Sequence, residues 1–385
     1  MNRLDLEPIN SYNRLMKYNW QQNDWPNFHY NLELVQDTLF KIARKTGYIA
    51  GKHSDLPSDT QTEILINLMV EEAVKTSKIE GEYISHIDIR LSIRKKLGLL
   101  GPPTKVHDKR ADGVAELMVS VRKTFKEPLS EEMLLDWHLN LLGANPNPHI
   151  FVGRWRESEE PMQVVLGRGD KWIVHFEAPP SRIVPQEMER YIAWFNQSAT
   201  HPSATMMAPI HAAIAHLYFD SIHPFDDGNG RIGRALAEKA LYQAFDCPLL
   251  LSLSSTIEGN KKAYYAALQT ASQSNDISSW IQYFLNTIFE AQCNAENEIN
   301  FIIRKAKFFD TYKEKFNERQ MKAVKKMMDA GIKGFEGGMS AKKYMAITDA
   351  SKATATRDLQ DLLEKNALQQ IGSGRSVRYE LNLDP

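Results

Sequence analysis

His223-Pro-Phe-Asp-Asp-Gly-Asn-Gly-Arg-Ile-Gly-Arg234 is the stretch on which the reading of this 385-residue chain turns. It packs a potential base, adjacent carboxylates, two close glycines and two arginines into one short run. Gly228 and Gly230 have no Cβ, so their backbone can approach a ligand closely. The periodic run that follows, residues 230–245, reads as a helix, and a helix start offers free N–H groups and a positive dipole end to an anion. Arg231 and Arg234 lie three apart on neighbouring positions of that helix and can supply forked donors to phosphate oxygens. Asp227 is placed to hold Mg²⁺, which favours a carboxylate together with phosphate oxygens and water. His223, at the mouth, is the group able to take a proton near neutral pH. The run reads as a polyphosphate cradle with a base beside it.

Working outward, most of the chain follows helical periodicity. Residues 31–50 repeat Leu32, Leu34, Val35, Leu39 and Ile42 on one face. Pro57 interrupts, and Ser58 or Thr60 is expected to cap a second helix that runs to residue 80. Further helices are expected over 110–125, 131–143, 186–197, 204–220, 230–245, 260–273 and 276–303, the last ending near Phe309. Gln163–Val165 and Trp172–Phe176 flank a turn containing Gly167 and Gly169, which marks a β-hairpin. Past residue 309 comes a helix over 317–330, then a glycine-rich break. Ser340–Met345, Ala350–Asn366 and Gln369–Leu381 follow as helix, helix and hairpin, with Gly372-Ser-Gly374 at the tip. That is the winged helix-turn-helix order.

Composition sets the class. With 43% hydrophobic and 25% charged residues the chain is ordinary globular protein, long enough for two or three domains. The two cysteines, Cys247 and Cys293, are too few for a disulfide scaffold or a cysteine zinc site. No signal peptide or membrane span is evident, so a cytoplasmic protein without membrane contact is expected. Net charge is −1, yet residues 304–378 carry 17 Lys and Arg against 9 Asp and Glu, a basic module on an acidic body.

Residues 223–234 fit the pattern H-x-F-x-[D/E]-G-N-G-R-x-x-R at every specified position, and through them the chain resembles the Fic family. Other segments agree. Gly153-Arg-Trp-Arg156 is similar to the family's G-x-[FYW]-R, the hairpin followed by Ala178-Pro179-Pro180 to its flap, and residues 20–28 to an N-terminal region of bacterial members. Leu253–Tyr265 is similar to the segment that places Asn260, Tyr264 and Tyr265 near the adenine, although core packing explains the tyrosines equally well. The resemblance implies a mainly α fold: a Fic-type helical core with a β-hairpin flap, plus a C-terminal winged helix. The expected domains are 1–56, 57–303 and 304–385. It implies a protein adenylyltransferase that moves AMP from ATP, with Mg²⁺ or Mn²⁺ at Asp227, onto a Ser, Thr or Tyr hydroxyl of a protein, itself included. His223 would be the base. Gly228, Asn229, Gly230, Arg231, Ile232, Gly233 and Arg234 would contact the nucleotide.

Thr76-Ser-Lys-Ile-Glu80-Gly81 matches the family's inhibitory pattern [S/T]-x-x-x-E-[G/N]. The resemblance implies that Glu80 pairs bidentately with Arg234 and takes the donors a terminal phosphate needs. In some relatives the same glutamate positions a water that removes AMP, so a reverse reaction is also open.

A His211, His216, His223 metal site fails because the first two point ~140° apart on a helix at ~100° per residue. A Walker-type loop is absent. A reading of a different class makes the chain chiefly a DNA-binding regulator with the core as a nucleotide-sensing domain. In it Lys342, Lys343, Lys352, Arg357, Arg375 and Arg378 meet phosphates. Asp349, Asp358, Asp361 and Glu364 dilute that charge, and winged helices also bind protein, so both partners stay open, as does a homodimer.

Overall fold

The computed structural model describes residues 18–99, 106–143, 150–168, 171–199 and 204–383. It is mainly helical, with fourteen α-helices and two two-stranded sheets among the described residues. The chain divides into two compact units, Met1–Cys293 and Asn294–Pro385.

In the first unit α1 is Gln36–Ser54, α2 Ser58–Ile79, α3 His86–Lys96, α4 Lys109–Lys123 and α5 Glu131–Leu142. After the hairpin of β1 (Gln163–Arg168) and β2 (Lys171–Glu177) come α6 Val184–Ala199, α7 Ala204–Ile222, α8 Asn229–Phe245, α9 Leu253–Gly259, α10 Lys261–Ala271 and the start of α11, Ser278–Tyr312, which continues past Cys293 into the second unit. The centre is α7 against α8. Helix α7 reads as apolar nearly all round in sequence and is buried accordingly, whereas α8 is buried on nearly every face although it carries Arg231, Arg234, Glu238 and Lys239. Their approach is close enough that a Cβ on Gly233 would sit 2.7 Å from His216 Nδ1.

Several local expectations are corrected. Neither Ser58 nor Thr60 caps α2: Pro57 is the N-cap and no side chain bonds the free N–H groups there. The ring of Pro57 presets the entry, so Ser58 is already helical. The first helix begins at Gln36 after a 3₁₀ turn, Leu32–Leu34, capped by Asn31. The expected helix over 260–273 is α10, Lys261–Ala271, and Asn260 starts it, its Oδ1 accepting from Ala263 N at 3.3 Å. Helix α3 has no clear sequence signal because its basic residues blur the period. The structure explains them: Arg90 and Arg94 both pair with Glu63 of α2.

The hairpin is longer than its sequence signal, pairing Gln163 with Glu177 through Arg168 with Lys171. Gly169 of its expected turn lies outside the described residues. Phe176 packs edge-on against Tyr18 at 5.1 Å, and Trp20 Nε1 donates to Glu177 O at 2.7 Å. The N-terminal segment thus braces β2.

The second unit holds α12 Glu318–Met328, α13 Ala341–Thr348, α14 Lys352–Glu364, β3 Leu368–Ile371 and β4 Arg378–Leu381, in the expected order. Leu368 pairs with Leu381, and Met339 bridges to Tyr379 as a further short edge. Val324, Tyr344, Leu359 and Leu362 lie in its core. The Tyr344 hydroxyl and Arg319 both donate to Asp358, a charge neutralised inside the unit.

Candidate active site

Helix α7 ends by turning His223 into the left-handed region, φ 51°, with its N–H still bonded to Phe219 O at 2.9 Å. A histidine pays conformational energy there, on the order of 1 kcal/mol, so other contacts must fix it. Arg156 does so. Its Nε donates to His223 O at 2.7 Å, its Nη2 to Pro179 O and Ile222 O, and its Nη1 to Ser181 Oγ at 2.8 Å. His223 Nδ1 lies 3.3 Å from Asp220 O, which can only accept, so Nδ1 carries the proton and Nε2 keeps its lone pair. Burial, with Arg156 nearby, pushes this imidazole down to about 4, so it is neutral at pH 7.

Downstream, Phe225 anchors the loop: it is fully buried, stacked on His138 at 3.9 Å and packed against Trp155 at 4.9 Å. His138 Nδ1 accepts from Gly153 N at 2.9 Å, so its Nε2–H donates to Asp227 O at 3.2 Å. Burial keeps His138 neutral, down at about 4. Asn229 clamps the turn, donating to Phe225 O at 2.7 Å and accepting from Phe225 N at 3.0 Å. Its side chain therefore holds the loop. Gly228, at φ 83°, is the N-cap of α8 and no side chain caps that helix, while the first intrahelical bond is Ile232 N to Gly228 O. The N–H groups of Asn229, Gly230 and Arg231 are left to a ligand.

These parts open on a cavity of about 540 Å³ lined by Glu80, Asp220, His223 and Asp226–Gly230. Met162, Val164, His175 and Phe176 of the hairpin region form a second wall, and Tyr264, Tyr265 and Leu268 of α10 a third. The structure brings most of the expected residues together. It does not bring in Ile232, which is buried in the core, or Gly233, which faces His216 on α7, and the Arg231 and Arg234 side chains are buried behind the wall rather than lining the cavity. Asn260 caps α10 and does not line the cavity. Tyr264 lines it while its hydroxyl bonds His216 Nε2 at 2.7 Å, so packing and site share that residue.

Both arginines are buried, each 1% exposed, and both are engaged. Arg234 Nε donates to Thr76 Oγ1 at 2.8 Å, and its Nη2 to Thr76 O at 3.1 Å and Glu80 Oε1 at 2.8 Å. The expected bidentate pair is corrected to a single contact: Thr76 takes the remaining geometry, and Nη1 is buried without a partner. Arg231 Nη1 donates to Glu82 Oε2 at 2.9 Å, and its Nη2 lies 3.5 Å from Asp227 Oδ1. Arg156, His138, Asp220 and Glu82 were missed as site residues. Arg156 alone had a signal, the G-x-W-R run. Asp220 is pushed up to about 7 by burial and by Glu80, with Arg234 opposing.

Among the described residues no three His, Cys, Asp or Glu side chains cluster to hold a metal unaided. Asp227 commits one oxygen to Gly228 N at 2.6 Å and is 45% exposed. One accessible carboxylate beside open N–H groups suits a cation that arrives with phosphate.

A model of the Fic/DOC family matches residues 128–241, and a domain of unknown function, DUF4172, matches residues 18–99. Residues 128–241 thus carry a Fic/DOC-type domain. It is 27% identical over 212 residues to the protein adenylyltransferase fic-1 of Caenorhabditis elegans, covering 54% of this chain and 37% of that one. To the protein adenylyltransferase Fic of Culex quinquefasciatus it is 32% identical over 211 residues, 53% of this chain and 37% of that one. The chain thus spans little more than a third of the length of these two relatives. A Fic domain containing signaling protein from Bacteroides thetaiotaomicron shares the fold at 18% identity, TM-score 0.50, over 70% of this chain and 97% of that one. Glu80 lies in the DUF4172 match and His223 in the Fic match.

Proposed function

We propose that the cavity moves AMP from ATP to a Ser, Thr or Tyr hydroxyl of a protein. The observation that carries this is the convergence of a neutral His223 with the uncapped start of α8 in one cavity. The acceptor hydroxyl gives its proton to His223 Nε2 and its oxygen attacks the α-phosphorus. The bond to the bridging oxygen breaks and pyrophosphate leaves. The N–H groups of 229–231 stabilise charge on the phosphoryl oxygens as it develops. Asp227 is the carboxylate that would hold Mg²⁺, which there would supply positive charge to the phosphates. The hairpin acts as a flap that receives the target's backbone as an added strand and sets the hydroxyl in line. ATP labelled at the α- or the γ-phosphorus tests the reaction: only α-label should pass to protein. Transfer of γ-label would make the protein a kinase and reject the proposal.

Glu80 restrains this reaction by competition. Its contact with Arg234 takes donors a terminal phosphate needs, and a charge-assisted hydrogen bond is worth about 1.5–3 kcal/mol, roughly tenfold to a hundredfold in occupancy. One contact rather than two keeps the restraint reversible.

The C-terminal unit is read as a winged helix. Lys352, Arg357 and Arg378 are exposed, whereas Lys343 is tied to Glu336 O and Gly338 O. Titration with mixed duplex DNA at two salt concentrations separates DNA from protein binding, since phosphate contacts weaken steeply with salt.

A further inference from the structure

The inhibitory helix ends in a turn whose geometry its sequence requires. Gly81, at φ 83°, donates to Lys78 O at 3.1 Å, and Glu82 N donates to Ser77 O at 2.9 Å. This is a Schellman ending, which needs a left-handed residue at the position of Gly81. It leaves Glu80 as the C-cap and sets Glu82 just past the turn. Ile79 O is held by Lys261 Nζ, and Lys75 and Lys78 both pair with Glu258, at 3.1 and 2.7 Å. The turn is therefore pinned to α9 and α10, and the two glutamates reach two different arginines: Glu80 reaches Arg234 at 2.8 Å and Glu82 reaches Arg231 at 2.9 Å.

From this geometry we infer that Glu82 is a second competitor for the donor nucleotide, holding Arg231 as Glu80 holds Arg234, so that the two carboxylates screen different phosphates. The inference rests on the nucleotide-transfer reading and extends it to a residue the inhibitory pattern leaves out. Three observations support it. Arg231 lies beside Asp227, the carboxylate that would hold the cation, while Arg234 is tied to Thr76 on α2. Each arginine keeps one buried donor without a partner, Nε of Arg231 and Nη1 of Arg234, so the glutamates satisfy them only in part. A phosphate can complete what the glutamates leave open. Finally, a Cβ on Gly230 would lie 2.3 Å from Glu80 Oε1, so Glu80 lies against the backbone that would cradle phosphate. A mere structural counter-ion for Arg231 would look similar at rest, and would behave oppositely when removed.

The test is calorimetric titration of the full chain with Mg-ATP and with Mg-ADP. All forms carry His223→Ala so that nothing turns over. They are that variant alone, then with Glu80→Gly, with Glu82→Gln, and with both. Glu80→Gly should favour ATP over ADP, because ADP lacks the terminal phosphate. Added to it, Glu82→Gln should tighten ATP and ADP alike, each by about tenfold. Glu82→Asp, which keeps the charge but shortens the reach, should tighten both in the same direction and guards against a misfolded amide variant. If Glu82→Gln and Glu82→Asp leave both affinities unchanged, or weaken them, while Glu80→Gly acts as stated, Glu82 is only a counter-ion and the inference falls. If no form binds either nucleotide, the transfer reading itself fails and takes this inference with it.

Discussion

The loop 223–230 and the segment 76–82 border one cavity, yet they are held by different forces. The loop is fixed by buried hydrogen bonds between mostly neutral groups: Asn229 on Phe225, His138 on Asp227, and the Arg156 guanidinium on three backbone carbonyls. The segment is held to the arginines by carboxylates that keep solvent access, Glu80 at 27% and Glu82 at 29% exposed. Contacts of the first kind are costly to break, and those of the second can be exchanged for another anion at little cost. On the proposed function, the molecule separates a rigid chemical part from a releasable restraint.

The largest effect should come from the rigid part. His223→Ala is expected to lower AMP transfer by about 10²–10⁴. Equilibrium nucleotide binding should largely persist. Parent-rate transfer by the variant would show that the base was misassigned.

Arg156→Ala should come next, because it leaves several buried carbonyls without donors and releases the left-handed turn at His223. A loss of about 2–4 kcal/mol in unfolding free energy is expected, together with reduced transfer. Denaturant titration reads the first. A variant as stable as the parent would remove Arg156 from the account of the loop.

Gly233→Ala sharpens the comparison from another side. An added methyl would meet His216 Nδ1 at 2.7 Å, so roughly 1–3 kcal/mol of stability should be lost to overpacking. Nucleotide affinity should be unaffected. A selective loss of affinity without a stability change would return Gly233 to the nucleotide site.

A further effect concerns pH. Asp220 has a folded value near 7 against an ordinary aspartate value near 4. Between those values the folded chain binds more protons than the unfolded one, so this group makes stability fall as pH rises from about 4 to 7. Asp220→Asn should remove that part of the slope and stabilise the protein above pH 7. The opposite shift, a loss of stability at pH 8, would mean that the carboxylate is paired and ionised.

Much of this was legible in the sequence because the motif residues are local: a base, a glycine turn and a helix start are fixed by their neighbours in the chain. The helices with strong apolar faces were legible for the same reason. What escaped depends on distant partners. Helix α3 carries arginines whose purpose is Glu63 on α2. His138 is an ordinary histidine until Phe225 and Asp227 come beside it. Glu82 is a surface glutamate in sequence, and only the turn at Gly81 delivers it to Arg231. Gly233 and Ile232 err in the other direction: the run placed them beside functional neighbours, but the helical period turns them toward the core.

Whether the two regions divide the work as described is tested most directly by intact mass after incubation with Mg-ATP. Four forms are compared: parent, Glu80→Gly, His223→Ala, and Glu80→Gly with His223→Ala. The Glu80→Gly protein should gain the mass of one or more adenylyl groups, at a rate roughly tenfold to a hundredfold above the parent. The double variant should gain none. A Glu80→Gly protein that stays at the parent's level at every nucleotide concentration, or a gain that survives His223→Ala, would contradict the account.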